Sequence, residues 1–224
     1  MELPAPRAKG SLFQVREYVN RHPGQLERAI SEGFPDLRGA IFEWTAPLEA
    51  QDYREPQDAA FLKAIGCQRL SPKLKAFWPK GGPVWDATAK LTLASGEPGA
   101  LLVEGKSYPG ELRSRMAAEN AKSVARIRSA IAYTQASLGL EADPDRWTRS
   151  YYQSANRYAH LQFLRDESVN AWLVHVLFLN DATFIGATQT AWETALPAVE
   201  RELGIDEIEI PHAGHVFLPA LYRV

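Results

Sequence analysis

Alternating apolar and polar positions mark two strands in the middle of the chain. Residues 84–93 alternate between the two classes, which predicts a β-strand. Residues 95–99 are rich in turn formers, and residues 100–106 resume as a compact apolar stretch, so the two strands are expected to form an antiparallel hairpin. The nearly continuous apolar run of residues 171–179 predicts a buried central strand.

Helical periodicity, caps and breakers place helices on both sides of these strands. They are predicted at residues 11–20, 25–32, 56–66, 113–138, 150–165 and 189–203, with short closing strands at 208–210 and 215–218. This order predicts an α/β fold in which a mixed sheet, including the antiparallel hairpin, is flanked by helices. Because no repeat or linker interrupts the chain, residues 1–224 are expected to form one domain, with residues 1–40 as an N-terminal helical addition.

Composition excludes several classes of protein. The 224 residues are 46% hydrophobic and 23% charged, close to globular averages, which argues against disordered and fibrous proteins. The longest apolar run is far shorter than the ~18 residues of a membrane span. The N-terminus lacks an apolar run behind a basic start, so no secretory signal is expected. The single cysteine, Cys67, allows no internal disulfide, and a cytoplasmic protein with no membrane association is predicted.

Charge is nearly balanced overall but uneven along the chain. A net charge of −2 argues against a protein that coats nucleic acid by bulk electrostatics. A basic stretch nevertheless lies within residues 106–128, where the candidates for contact with phosphates are Arg113, Arg115, Lys122, Arg126 and Arg128. The alternative is an ordinary solvated helix face.

Two ionic residues end a strand that should be buried, which is an expensive place for charge. A turn near residues 95–97 pairs positions whose numbers sum to about 190 to 192, which sets Asp86 opposite Glu104 on one face of the hairpin. Lys106 shares that face because side chains alternate with a period of two. Two adjacent carboxylates repel each other unless a cation lies between them, and hard cations such as magnesium favour oxygen ligands. A cross-strand ion pair on an exposed sheet face is the alternative interpretation.

These residues also carry a resemblance to a known superfamily. Asp86 followed by Glu104-Gly105-Lys106 resembles the signature of the PD-(D/E)XK, or restriction-endonuclease-like, nucleases, with Trp85 in place of the proline. Three longer strings resemble an uncharacterised bacterial family within that superfamily: residues 77–86, residues 101–106 with Glu111 beyond them, and Tyr151-Tyr152-Gln153 with Asn156-Arg157.

The resemblance implies a restriction-endonuclease-like fold and hydrolysis of phosphodiester bonds, with DNA as the expected substrate and Mg²⁺ or Mn²⁺ as the cofactor. It implies that Asp86, Glu104 and the carbonyl of Gly105 hold the metal. It further implies that Lys106 acts on the attacking water or the scissile phosphate.

Many members of the superfamily take a further acidic residue from a helix ahead of the hairpin. Glu55 and Asp58 are the first candidates here, followed by Glu43 and Glu49. The alternative role of such acids is to complement the dipole of a helix start.

The helix at 150–165 carries a polar stripe with little charge. Gln153, Asn156, Arg157 and His160 follow helical spacing and share one side. The first three resemble auxiliary site residues of nucleases in the superfamily. Ordinary hydrogen bonding between helix and sheet would explain the stripe equally well.

The leading prediction is therefore a metal-dependent nuclease whose partner is nucleic acid, with DNA preferred. The alternative is a catalytically inactive nucleic-acid-binding or protein-interaction module on the same fold. A structural ion cluster is a third explanation of the charged residues, and assembly into a homo-oligomer stays open.

Overall fold

A mixed five-stranded sheet forms the centre of the molecule. A computed structural model describes residues 8–141 and 143–222. The strands lie in chain order across the sheet: β1 (Ile41–Ala46), β2 (Ala87–Thr92), β3 (Pro98–Lys106), β4 (Ala171–Leu179) and β5 (Ala213–Pro219). β2 runs antiparallel to both of its neighbours, β1 and β3, whereas β3, β4 and β5 run parallel. The α/β class, the mixed sheet and the flanking helices agree with the sequence-based prediction.

Among the described residues, eight α-helices cover the two faces of this sheet. They are α1 (Gly10–Arg21), α2 (Pro23–Gly33), α3 (Asp58–Ala64), α4 (Ser71–Phe77), α5 (Ala121–Ser137), α6 (Pro144–Arg149), α7 (Tyr152–Asp166) and α8 (Gln189–Leu203). Apolar residues of α1 and α2, within the segment expected as an N-terminal addition, pack on one face. The other six helices contribute to the core on the opposite face.

The alternation of β3 divides its side chains between these two cores. Leu101 and Val103 face α1 and α2, whereas Ala100 and Leu102 face the core that contains α7. Continuing the period of two places Glu104 and Lys106 on the α7 face. The sheet therefore carries its buried charges toward α7.

Several boundaries differ from the prediction. The predicted strand at 84–93 begins only at Ala87. The predicted helix at 113–138 begins at Ala121, because Asn120 caps it by accepting hydrogen bonds from the backbone N–H groups of Lys122 and Ser123. Residues 113–120 precede the helix as irregular backbone with a single bridge, at Ser114.

Three elements were not predicted, and one predicted strand is not formed. β1, α4 and α6 are the additions. Residues 208–210 have no regular structure, and the closing strand is β5 alone. Within the described residues, no helix is long and apolar enough to cross a membrane.

Candidate active site

The register of the β2–β3 hairpin sets the geometry of the site. Ala87 pairs with Val103 and Thr92 with Pro98, so paired positions sum to 190. Asp86, one residue before β2, therefore faces Glu104. The backbone N–H of Gly105 donates to Asp86 Oδ2 at 2.8 Å, which fixes the carboxylate beside β3.

Glu104 is enclosed by two cations. It is 2% exposed, and its Oε1 accepts from Lys106 Nζ at 2.5 Å. Its Oε2 accepts from Nε of Arg157, on α7, at 2.8 Å and lies 2.6 Å from Arg157 Nη2. A buried carboxylate with two charge-assisted partners is held firmly in one position.

Arg157 is positioned by several neighbours. Its Nη1 donates to Asn156 Oδ1 at 2.8 Å and its Nη2 to the Val84 carbonyl at 2.7 Å. The guanidinium also lies over the Trp85 ring, 5.0 Å from its centroid. The residues just before Asp86 therefore hold the arginine that binds Glu104.

The electrostatics distinguish the two carboxyl groups. Burial and the charge of Glu104 raise the pKa of Asp86 to about 7. Burial alone would raise the pKa of Glu104, but Arg157 and Lys106 lower it to about 2. Burial opposes the ammonium of Lys106, yet the Glu104 and Asp86 carboxylates more than offset it, so the pKa of Lys106 is raised. Glu104 and Lys106 stay charged at neutral pH, and Asp86 exchanges its proton near that pH.

A histidine on β4 completes the row across the sheet. His175 pairs with Glu104 in the parallel register, and His215 on β5 pairs with His175. Burial lowers the pKa of His175 to about 4, so the ring is neutral at physiological pH. This pairing was not predicted, because the register of two parallel strands cannot be read from local pattern.

Glu55 and Asp58, the two candidate acids ahead of the hairpin, have different surroundings. Both oxygens of Asp58 accept backbone hydrogen bonds, from Gly81 and Gly82 at 3.0 Å each. Glu55 Oε1 is buried without a hydrogen-bond partner among the described residues, with Arg16 Nη2 4.0 Å away. Burial raises the pKa of Glu55, and the charge of Glu104 contributes to that rise. Glu55 therefore has an unused oxygen near the site.

The polar stripe of α7 meets the site in part. Asn156 and Arg157 contact each other, and Arg157 binds Glu104. The backbone N–H of Gln153 instead donates to Ser114 Oγ at 2.8 Å. His160 packs on Trp78 with ring centroids 4.9 Å apart.

The five basic residues proposed to contact phosphates do not lie on one helix. Arg113 and Arg115 are exposed in the segment before α5, whereas Lys122, Arg126 and Arg128 are on the helix itself. Arg128 forms a two-bond pair with Asp145, which offsets its charge.

A buried polar network adjoins the site and was not predicted. Ser107, directly after Lys106, donates from Oγ to Asp181 Oδ2 at 2.6 Å, and its N–H donates to Glu111 Oε2 at 2.8 Å. Asp181 Oδ1 accepts from Gln14 Nε2 at 3.1 Å and from the backbone N–H and hydroxyl of Thr183. The network links α1 to the ends of β3 and β4.

The oxygen donors of the site fit a hard divalent cation. Asp86 Oδ1 forms no hydrogen bond with the described residues, and Glu55 Oε1 is also unused. The carbonyl of Gly105 points to the same strand edge as its N–H, toward Asp86. A carboxylate oxygen has more than one lone pair, so Glu104 can bind a cation while it accepts from Lys106. Within residues 8–141 and 143–222, no three His, Cys, Asp or Glu side chains are close enough to form a metal site by themselves.

Comparisons with protein-family models, curated proteins and solved structures found no match to the chain.

Proposed function

We propose that this protein is a metal-dependent nuclease that hydrolyses phosphodiester bonds, with DNA as its substrate. The observation that supports the proposal is the opposition of Asp86 and Glu104 on one hairpin, with Lys106 two residues further on. A restriction-endonuclease-like fold, with which the mixed sheet and its flanking helices are compatible, and a cytoplasmic location belong to the same proposal.

In this proposal, Asp86, Glu104 and the Gly105 carbonyl hold a magnesium or manganese ion. When bound there, the ion would polarise a phosphate oxygen and lower the pKa of a bound water. The Gly105 N–H orients Asp86 so that Oδ1 remains available. Arg157 and Asn156 hold Glu104 in place, so the second ligand is already positioned before the ion arrives.

Lys106 acts as a cation rather than as a base. Its ammonium bonds to Glu104 and its pKa is raised, so it keeps its proton at neutral pH. A protonated lysine cannot accept a proton from water, but it can stabilise negative charge that develops on the phosphate. We therefore propose that Lys106 stabilises the negative charge that develops on the phosphate in the transition state.

The test is cleavage of labelled DNA by the purified chain with magnesium, manganese or calcium, using the wild type, Asp86→Asn and Lys106→Met. We expect cleavage in magnesium or manganese and none in calcium, which is larger and less strict in geometry. Asp86→Asn should abolish both metal binding and cleavage. Lys106→Met should reduce turnover by ~100-fold or more and leave calorimetric metal binding largely intact.

Glu43→Gln is the matched control. Glu43 accepts from Lys90 at 2.8 Å on the same sheet, but both side chains are exposed. This variant should cleave as the wild type does. Equal cleavage by the wild type and Asp86→Asn would refute the assignment of the site.

A second candidate function is a binding module without catalysis. It is favoured by the enclosure of Glu104, because Lys106 and Arg157 already neutralise that carboxylate in the absence of metal. In that case calorimetry would give the same result for the wild type and Asp86→Asn, with no magnesium or manganese site that depends on Asp86. The protein would bind DNA without cleaving it, or would bind a protein partner.

A further inference from the structure

A groove with apolar walls and a basic rim lies beside the loop that leads to Asp86. Its volume is about 490 Å³, and it runs between α3, α4 and α5. Leu74, Ala59 and Trp78 contribute apolar surface to it. Lys75, Lys80 and Arg126 line the same groove.

The charge of the rim is not compensated locally. Lys75, Lys80 and Arg126 are exposed, and within the described residues none of them forms an ion pair with a carboxylate. The single acid in the lining, Asp58, has both oxygens bound to backbone N–H groups. Three cations against one acid make the rim complementary to a polyanion.

A chain of ring contacts connects the groove to the candidate active site. The Trp78 ring lies 4.9 Å from His160, and His160 lies 6.2 Å from Trp85, measured between centroids. The Arg157 guanidinium covers Trp85 and binds Glu104. These buried contacts join the wall of the groove to the arginine that binds Glu104, so the groove and the candidate site belong to the same core.

We propose that this groove binds single-stranded DNA next to the cleavage site, an inference that rests on the proposed nuclease function. Duplex DNA would contact the cations through its phosphates but leave the apolar trough unfilled, because its bases are stacked and paired. An unpaired strand fills the trough with a base and places the flanking phosphates near Lys75, Lys80 and Arg126.

The lining gives RNA no evident advantage over DNA. A protein that selects RNA usually offers partners to the 2′-hydroxyl. The two polar side chains of the lining other than the cations are Ser71 and Asp58. The Ser71 hydroxyl donates to the Gln68 carbonyl, and Asp58 accepts from Gly81 and Gly82. Neither has a free hydrogen to donate to a ribose hydroxyl, although the oxygens of both keep lone pairs that could accept one.

Fluorescence anisotropy with the full chain in EDTA tests the groove without cleavage. The probes are a labelled DNA strand of about 20 nucleotides, its blunt duplex, and the RNA strand of the same sequence. We expect the single DNA strand to bind ~10-fold or more tightly than its duplex and at least as tightly as the RNA strand. Equal or tighter binding of the duplex, or tighter binding of the RNA, would overturn the proposal.

Ala59→Glu and Ala60→Glu form a matched pair of variants. Both alanines are exposed on α3, and Ala59 lines the groove whereas Ala60 is not part of its lining. A carboxylate added at Ala59 repels phosphate and fills the trough, so single-strand affinity should fall ~10-fold or more. Ala60→Glu should stay within about twofold of the wild type. Equal loss in the two variants, or none in either, would overturn the inference.

The salt dependence of binding gives an independent measurement. Replacing both Lys75 and Lys80 by Gln should lower the slope of log affinity against log salt by about 1.4, since each phosphate contact of a single strand contributes about 0.7. Replacing Lys63 and Arg69, exposed cations outside the lining, should leave the slope nearly unchanged. An unchanged slope in the first double variant would contradict the proposed phosphate contacts.

The two proposals fail separately. If Ala59→Glu removes single-strand binding but no metal supports cleavage, the proposed nuclease activity is refuted and the proposed DNA-binding groove is supported. If cleavage depends on Asp86 but Ala59→Glu leaves single-strand binding unchanged, the proposed DNA-binding groove is refuted and the proposed nuclease activity is supported.

Discussion

Asp86 should destabilise the metal-free fold, and its replacement by Asn should therefore raise the free energy of unfolding. Burial and the Glu104 charge raise the pKa of Asp86 to about 7 from its ordinary value of 3.8. A raised pKa means that the folded state holds the proton more tightly than the unfolded state does. The corresponding stability is fully present below about pH 4 and is lost as the pH rises through about 7.

The magnitude follows from the size of this change. The difference between about 7 and 3.8 corresponds to at most ~4 kcal/mol. Asp86 is only partly buried, so solvent screening reduces the expected cost to ~1–3 kcal/mol. Asn has the same shape and can still accept the Gly105 N–H. Asp86→Asn should therefore stabilise the metal-free protein by ~1–3 kcal/mol at about pH 8, and by less at about pH 5.

The assay is urea unfolding in EDTA, followed by tryptophan fluorescence at both pH values. Glu104→Gln is the control with opposite sign, because it leaves Arg157 and Lys106 as buried cations without their counter-charge. It should destabilise the fold by ~3–5 kcal/mol. A saturating metal should stabilise the wild type by ~3 kcal/mol at one hundred times its dissociation constant and have no effect on Asp86→Asn. Loss of stability in Asp86→Asn at about pH 8 would refute the reasoning.

Three further predictions concern the surroundings of the site. Arg157→Met should destabilise the fold by ~3–5 kcal/mol in urea unfolding, whereas Arg128→Met, which breaks the exposed pair with Asp145, should cost less than ~1 kcal/mol. Equal losses of stability in the two variants would contradict the argument from burial. Magnesium affinity measured by calorimetry should weaken by up to ~10-fold per pH unit below about pH 7, because the ion must displace the proton of Asp86. A magnesium affinity that stays constant between about pH 6 and 8 would exclude Asp86 as a ligand. Asp181→Asn should lower thermal stability by ~1–3 kcal/mol, because an amide cannot accept from both Ser107 and Thr183 as the carboxylate does, and Asp206→Asn, on the surface, should not.

Local rules were sufficient to predict the centre of the site. The turn chemistry at residues 95–99 set the pairing sum, and the register of Ala87 with Val103 agrees with it. The period of two then put Glu104 and Lys106 on one face. These inferences span fewer than about two dozen residues of chain, where hairpin geometry leaves few alternatives.

Longer-range relations were beyond these rules. Arg157 was named from its stripe on α7, but its bond to Glu104 depends on how that helix packs on the sheet. The pairing of His175 with Glu104 depends on the register of parallel strands joined by a long connection. β1 was missed although Phe42 and Trp44 alternate with exposed positions, because an edge strand of six residues gives a weak signal.

Arg157 explains how the site can fold without a metal. Glu104 and an ionised Asp86 bring two negative charges to a buried position, and Lys106 supplies only one positive charge. The guanidinium of Arg157 restores the balance, and two of its other N–H groups donate to Asn156 and to the Val84 carbonyl. A divalent ion would add two charges to this neutral set. The phosphate of a substrate can compensate them, as can Glu55, whose Oε1 accepts no hydrogen bond from the described residues although Arg16 lies 4.0 Å away. Arg157 stabilises the metal-free site. For the same reason, we expect the metal to bind more tightly when a phosphate is also bound.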